Sequence, residues 1–303
     1  MIIPIPEDRD EWLALRSKYV GGSDAASLFH AQAGFGASLF NLWHQKAGHI
    51  EGENLDDVER IEWGRVMEPV IGAFAAKRHG WTIDPGGFAI DDTTPGLAAT
   101  LDFQITAHTE TEFSGPGCLE TKAVDSIMWK SDHWDLRPPL YIELQLQHQL
   151  CATGWSWGAI AACVGGNTLQ VWKRKARPVL QAEIRKRVRA FWASIAAGEQ
   201  PDVDATDSTA DALKALYVVE KDKPVELAPD LIKPMHDVVT MLAVEREAIK
   251  ASDSRQQAAR NFIKQVMAGG GRVHVPSPDP NSPSFWVSQD NRGTIRIKEY
   301  APT

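Results

Sequence analysis

Asp102 and the tripeptide Glu120-Thr121-Lys122 are residue types from which a site for a divalent cation and a phosphodiester can be built. Each acid lies in a short extended-looking run, Leu101-Asp102-Phe103 and Leu119-Glu120-Thr121-Lys122. Between them, residues 108–117 are polar and include Ser114-Gly115-Pro116-Gly117, which reads as a loop joining two antiparallel strands. Alternation then sets Leu101, Phe103 and Ile105 on one face, with Asp102 and Gln104 on the other. Leu119 and Thr121 likewise oppose Glu120 and Lys122. Asp102, Glu120 and Lys122 are therefore expected to converge, with the Thr121 carbonyl between the last two. Mg²⁺ takes hard oxygens, keeps several waters and is completed by substrate phosphate, so two carboxylates and one carbonyl suffice. A lysine beside such a site can orient or deprotonate an attacking water and offset charge on the phosphate. An exposed hairpin with solvated charges would carry the same Glu-x-Lys, and the motif alone leaves both readings open.

The elements that must position these groups are read from periodicity. Residues 8–16 place Trp12, Leu13 and Leu15 among charges, as a short helix does. Val20-Gly21-Gly22-Ser23-Asp24 follows, where glycines free the backbone and Ser23 can cap a helix through Ala25-Ala26-Ser27-Leu28. The N–H groups of such a helix start suit an anion, although capping alone would explain the serine. Over 57–79, the residues Trp63, Val66, Met67, Val70, Ile71 and Phe74 keep helical spacing, and Gly80 ends the run. Glu68 flanks this stripe, with Gly64 and Gly72 to either side. A mid-helix glycine costs roughly 1 kcal/mol relative to alanine, so a close approach or a functional reason is expected there.

Extended segments follow at 81–83, 87–90, 97–106 and 117–124, then a helix at 140–153. Its Leu144, Leu146, Leu150 and Cys151 form an apolar surface, and Gln145, Gln147, His148 and Gln149 a polar one. Strands at 155–164 and 168–173 surround Gly165-Gly166-Asn167, a hairpin signal, and a basic amphipathic helix spans 180–197. The order is that of an α/β core. Composition shifts to Asp, Thr, Ser and Ala over 201–212, which separates a first domain, 1–202, from an extension, 203–303. The extension carries a long helix over 229–267, interrupted or opened at Pro234 and closed by Gly269-Gly270-Gly271, and a small β-hairpin over 272–300.

Composition narrows the function classes. At 303 residues, with 43% hydrophobic and 24% charged residues, the chain is ordinary for a globular protein. No apolar run has the length of a membrane span, and the first residues lack the pattern of a secretory signal, so a cytoplasmic protein is expected. Three cysteines, Cys118, Cys151 and Cys163, fit reduced thiols and fall short of the four that a cysteine-only iron–sulfur cluster needs. The nine histidines show no metal-binding spacing. A net charge of −8 is unexpected for a protein that handles nucleic acid, but two basic clusters stand out, Lys173-Arg174-Lys175 with Arg177 and Arg185-Lys186-Arg187 with Arg189. They suit a DNA backbone and solvated helix and strand ends equally.

Five blocks form an ordered series: Arg16 with Val20-Gly21-Gly22-Ser23; Trp63-Gly64-Arg65-Val66-Met67-Glu68-Pro69; Leu101-Asp102; Leu119-Glu120-Thr121-Lys122; and Leu144-Gln145-Leu146-Gln147. In that order and spacing, over residues 8–200, they resemble the YqaJ-type viral recombinase family, relatives of phage lambda exonuclease among the PD-(D/E)xK nucleases. The resemblance implies a central mixed sheet flanked by helices, here followed by a C-terminal helical extension and a small β-hairpin. It implies a Mg²⁺- or Mn²⁺-dependent exonuclease that digests one strand of double-stranded DNA from its 5′ end in phage-type recombination. On the matched positions, Asp102, Glu120 and the Thr121 carbonyl look like metal ligands, and Lys122 like the lysine that orients or activates water. Glu68 looks like the helix acid that binds or supports a second metal, and Gln147 like the glutamine of the following helix. Arg16 and Ser23 resemble the residues that grip the 5′-phosphate, and Asp92 is an ambiguous match to a further acid. The family's proline ahead of the first acid is absent, since Thr100-Leu101 precede Asp102. A homo-oligomeric ring, with a trimer as one form, and a single-strand annealing partner are also implied. Two rival readings stand: another PD-(D/E)xK enzyme such as an endonuclease or helicase-associated nuclease, and a non-catalytic DNA-binding protein on the same fold.

Overall fold

A buried parallel pair of strands lies at the centre of the N-terminal half, and helices cover both of its faces. The computed structural model describes residues 1–31, 36–52, 58–132, 134, 136–217, 224–279, 281–292 and 294–300. It divides into two units, Met1–Val219 and Glu220–Thr303. In chain order the first unit contains β1 (Ile2–Ile3), α1 (Arg9–Arg16), α2 (Ala25–Leu28), α3 (Leu39–Lys46) and α4 (Glu59–His79). The strands β2 (Thr82–Pro85), β3 (Phe88–Ile90), β4 (Ala98–Thr100), β5 (Phe103–Ala107) and β6 (Gly117–Val124) come next. They are followed by α5 (Ser126–Ser131), α6 (Leu140–Thr153), β7 (Trp157–Val164), β8 (Thr168–Lys175), α7 (Pro178–Ala197) and α8 (Asp207–Leu216). The second unit holds α9 (Pro229–Met267), β9 (Arg272–Val275), β10 (Ser284–Gln289) and β11 (Ile295–Tyr300).

The main sheet has the order β2-β5-β6-β7-β8, with β6 and β7 parallel and the other pairs antiparallel. One face packs on α4: Ile71, Ala75 and Ala76 meet Ile105, Leu119, Trp157 and Ala159. Across the other face, Cys118, Ile160 and Ala162 pack with Leu146 and Leu150 of α6 and with Ile184 and Val188 of α7. The alternation read along β6 is correct, but both of its sides are covered, as is usual for strands in parallel pairs. Its polar face is an interior one.

Several sequence expectations change on this framework. The single strand expected over 97–106 is two strands in different sheets, β4 pairing with β3 and β5 joining the main sheet. The chain crosses between them at Leu101-Asp102, where Gly86 N–H donates to the Asp102 carbonyl at 2.9 Å. A Cβ on Gly86 would lie 1.7 Å from the Leu101 oxygen, so only glycine allows this crossing. α4 begins at Glu59, and the expected start at Asp57 lies outside the described residues. Of its stripe only Ile71 is buried and Met67 partly so, while Trp63, Val66, Val70 and Phe74 are 48–58% exposed. α6 is not amphipathic in the expected sense, because Gln147, His148 and Gln149 are as buried as its leucines. α9 runs uninterrupted through Pro234, and its C-cap is Ala268, in the left-handed region, rather than a glycine.

The first unit also extends beyond residue 202. α8 docks on α3 through Ser208, whose hydroxyl accepts from Ser38 N–H at 2.9 Å, and through Thr209, which donates to the Ser38 hydroxyl at 2.8 Å. A segment whose composition reads as a linker is thereby held by side-chain hydroxyls, and that of Ser38 also caps α3. In the second unit β10 lies between β9 and β11, both antiparallel to it, a three-stranded sheet rather than a lone hairpin. Gly293, part of the expected turn, lies outside the described residues. All three cysteines are free thiols. Among the described residues no helix is long and apolar enough to cross a membrane.

Candidate active site

Asp102 and Glu120 are brought together by β-pairing. In the register of β5 and β6, Phe103 faces Leu119, so the residues just beyond, Asp102 and Glu120, stand side by side. Asp102 Oδ2 accepts hydrogen bonds from Thr121 N–H at 2.7 Å and from the Thr121 hydroxyl at 2.9 Å. Glu120 is fully buried. Its Oε1 accepts from the Lys122 ammonium and, at 2.6 Å, from Gln145 Nε2, while Gln149 Nε2 donates to its Oε2. Glu120 and Lys122 meet on the side covered by α6, and Asp102 is joined to them through Thr121 and by their electrostatic influence on it.

Glu68 approaches from α4. Gly72, one turn further along, sits where a Cβ would come within 2.6 Å of the Phe103 ring. Its missing side chain lets α4 lie close against the start of β5, the close approach expected of a mid-helix glycine; Gly64 meets nothing within 4 Å. Glu68 feels Glu120 and Lys122 electrostatically, and its pKa is raised, first by burial and then by Glu120.

Burial pushes Asp102 up to about 8, with the neighbouring Glu120 and Glu68 adding to the rise and Lys122 opposing it. Lys122 is pulled down by burial, but Glu120, Asp102 and Glu68 outweigh this and hold it above its ordinary value. Three carboxylates thus share one ammonium among the groups that set these shifts. In a poorly solvated pocket this excess of acid is met by a retained proton, which is what the raised pKa of Asp102 expresses. The donors are hard oxygens of the kind a divalent metal prefers. Among the described residues no cluster of three or more His, Cys, Asp or Glu side chains closes around a single point, so a cation here would rely on one or two carboxylates and on waters.

A second group lies at the α1–α2 corner. Arg16 Nη2 donates to Ser23 Oγ at 3.3 Å, and both residues are exposed. Ser23 is not the helix cap; Asp24 holds that position, and its carboxylate accepts from Gly21 N–H at 2.9 Å. The α2 helix has only four residues, so the anion-binding helix start expected here is not formed. Lys46 joins the corner, 3.4 Å from Asp24 and donating to the Arg16 carbonyl at 3.2 Å. A Cβ on Gly22 would lie 3.4 Å from Gln145 Cγ and 3.7 Å from Gln149 Cγ. The corner therefore rests on the same two glutamines that hold Glu120.

Two expected positions fall elsewhere. Gln147 points away from the acids, donating to the Lys175 carbonyl at 3.0 Å and accepting from Arg177 N–H at 2.9 Å. On a helix with a 3.6-residue turn, 145 and 149 share a face that 147 cannot reach, and that i,i+4 pair was the signal available in the sequence. Asp92 is 75% exposed and contacts the main-chain amine of Met1. The neighbouring Asp91 is buried and paired with Arg185 at 2.7 Å. His148, one position from Gln149, was also missed: fully buried, its Nε2 lies 3.1 Å from the Val20 carbonyl and 3.0 Å from that of Ala98, tying α6 to the strand leading into the Gly21-Gly22-Ser23 corner.

Half of the residues in the two basic clusters are partly buried and paired with acids, while Lys175, Arg177, Lys186 and Arg189 are exposed. Lys173 pairs with Glu110, Arg174 with Glu143 at 2.6 Å and Arg187 with Glu183 at 2.8 Å, while Arg189 donates to the Thr94 hydroxyl at 3.2 Å. Three of these cations, Lys173, Arg174 and Arg185, tie β8 and α7 to acids on other segments.

A mixed sheet whose adjacent strands carry Asp and Glu-x-Lys, covered by a helix on each face, defines the class of fold to which the molecule belongs. Residues 11–156 match the model of the YqaJ-like viral recombinase domain. Over 270 residues it is 25% identical to the YqaJ protein of Bacillus subtilis (strain 168), covering 86% of this chain and 78% of that protein. Its fold is similar to an alkaline exonuclease, LHK-Exo, from Laribacter hongkongensis, with a TM-score of 0.50 and 21% identity over 63% of this chain and 94% of that one. LHK-Exo in complex with dAMP gives a TM-score of 0.51 at 20% identity over 63% and 94% of the two chains. The mixed sheet flanked by helices, expected from the sequence, is borne out.

Proposed function

We propose that this protein is a metal-dependent exonuclease that degrades one strand of double-stranded DNA from a 5′ end, in recombination of the phage type. The observation that carries the reading is the buried group of Asp102, Glu120 and Glu68 around a single ammonium, Lys122. A protein that only bound DNA would gain nothing from concentrating in one pocket more carboxyl groups than it has cations to pair with them. Asp102, Glu120 and the Thr121 carbonyl would hold Mg²⁺ or Mn²⁺, with Glu68 beside it. Such a cation polarises the scissile phosphate and acidifies bound water.

The chain's own groups do the rest. Gln145 and Gln149 fix the Glu120 carboxylate from above, so that its position does not depend on what occupies the site. Lys122, held charged by the three acids, is a hydrogen-bond donor that orients water and offsets charge on the phosphate. It becomes a base only when the charge of those acids is compensated. Arg16 and Ser23 are exposed and suited to a terminal 5′-phosphate, the guanidinium offering a planar fork of donors. Because this corner rests on Gln145 and Gln149, a gripped end would have a fixed relation to the acids. Resection from a 5′ end leaves a 3′ single strand, the substrate of an annealing protein, which makes such a protein the expected partner; assembly into a ring would serve processivity.

Digestion of linear and closed circular duplexes carrying 5′ or 3′ labels, with Mg²⁺ supplied, tests this. Early release of the 5′ label from linear DNA, with circular DNA intact, is expected. Cutting of the circle, or label released first from the 3′ end, would overturn the polarity and exonuclease assignments. Arg16→Ala should remove the preference for a 5′-phosphate over a 5′-hydroxyl while digestion of the latter persists.

A further inference from the structure

The three strands of the second unit sort their polar and apolar residues onto opposite faces. In the registers of β10 with β9 and β11, Trp286 stands between His274 and Lys298, and Ser288 between Arg272 and Arg296. Side chains alternate along a strand, so these residues share one face with Tyr300. Val273, Phe285, Val287 and Ile295 take the other face, which is the covered one, with Val287 only 5% exposed. The acids are placed as unevenly. Residues 272–300 hold three: Glu299 is on the apolar face, Asp279 lies outside the strands, and Asp290 borders the Trp286 face just past β10, 3.7 Å from Arg296. Arg272, His274, Arg296, Lys298 and Tyr300 are all exposed, in a chain whose net charge is −8. Here the cations lean on rings. Arg272 Cζ lies 4.2 Å from the centre of the Trp286 ring, the His274 ring 4.9 Å from that same centre, and Lys298 Nζ 5.1 Å from the centre of Tyr300.

We propose that this face binds single-stranded DNA. Arg272, Arg296 and Lys298 supply charge for the phosphates. Trp286 supplies a platform for an unpaired base, and the planar guanidinium over its ring extends the stack. A duplex offers the same phosphates but keeps its base faces stacked inside, so it would use the cations and leave Trp286 idle. The strand left by resection from a 5′ end has the required chemistry. Only that identification of the strand rests on the nuclease reading; binding itself does not.

Fluorescence anisotropy of a labelled oligothymidylate of about 20 nucleotides, mixed with the full chain in the absence of divalent metal so that nothing is digested, tests this. Trp286→Ala should weaken binding roughly tenfold and leave the affinity for a blunt duplex unchanged, whereas Trp286→Phe should keep most of the wild-type affinity. Arg296→Glu combined with Lys298→Glu, both at exposed positions of the edge strand β11, should weaken binding at least as much and flatten its dependence on salt. With Mg²⁺ supplied, these variants should digest a short duplex as the wild type does; a wild type that digests nothing would count against the nuclease reading alone. No binding of the oligonucleotide by the wild type, undiminished binding by the Trp286→Ala and charge-reversed proteins, or an equal loss of duplex binding in Trp286→Ala, would overturn the proposal.

Discussion

The acid pocket and the basic segments of β8 and α7 treat charge in opposite ways. Lys173, Arg174 and Arg185 each meet an acid elsewhere in the same chain, and their charge is consumed in holding segments together. Asp102, Glu120 and Glu68 are buried or half-buried around one lysine, and their excess of acid over base is met by raised pKa values and a proton kept on Asp102. Both regions are visible in the sequence as clusters of ionisable residues. What separates a structural cluster from a functional one is the balance after folding, because an uncompensated buried charge costs stability and persists where something outside the chain completes it.

The comparison breaks most severely if removing the pocket's groups leaves function intact. Glu120→Gln and Lys122→Ala should each lower nuclease turnover by roughly 10²–10⁴-fold with the fold retained, as for loss of a positioned acid, base or charge-stabilising group. Turnover near wild type in either variant would take that residue out of the chemistry. Arg185→Ala should do the converse. It strands the buried Asp91 carboxylate, so unfolding by denaturant should show a loss of roughly 3 kcal/mol, with activity per folded molecule within a few-fold of wild type. A variant as stable as wild type would mean that this pair is not the tie described.

A smaller effect sharpens the contrast through pH. Asp102 has a folded pKa of about 8 against an ordinary value of 3.8, so the folded chain keeps a proton that the unfolded chain has released. The stability linked to this group is full below about pH 4 and is lost as pH rises toward 8. Between about pH 5 and 8 the metal-free melting temperature should therefore fall more for wild type than for Asp102→Asn. A steeper fall in the variant would reverse the sign and refute the burial argument.

Much of this was legible before folding. Period-2 alternation along β6 put Glu120 and Lys122 on one face, and the helical spacing with its glycines put Glu68 on a helix able to come close; the expected shared face of Leu101, Phe103 and Ile105 is not formed, because the chain crosses between sheets at Asp102 and leaves Leu101 in the other core cluster. Chain crossing at Leu101-Asp102 was not legible, since it depends on the absence of a Cβ at Gly86, distant from the motif and unremarked beside Gly87. Nor was the fate of the glutamines. A polar residue on a helix reads as solvated, yet α6 is enclosed, and only the direction of each side chain separates Gln145 and Gln149, on the acids, from Gln147, on the β8–α7 junction. Nor were the acids that pair with Lys173 and Arg185 legible, since they are distant in sequence, 63 residues away for Glu110 and Lys173 and 94 for Asp91 and Arg185.

The central claim is that a divalent cation supplies the charge this pocket lacks. Calorimetric titration of Mn²⁺ into the protein at pH 7, repeated in buffers of different ionisation enthalpy, measures binding and the protons it displaces together. Wild type should bind and release about one proton, that of Asp102, and Asp102→Asn should bind more weakly and release none. Equal binding by the two proteins, or binding by wild type with no proton released, would contradict it.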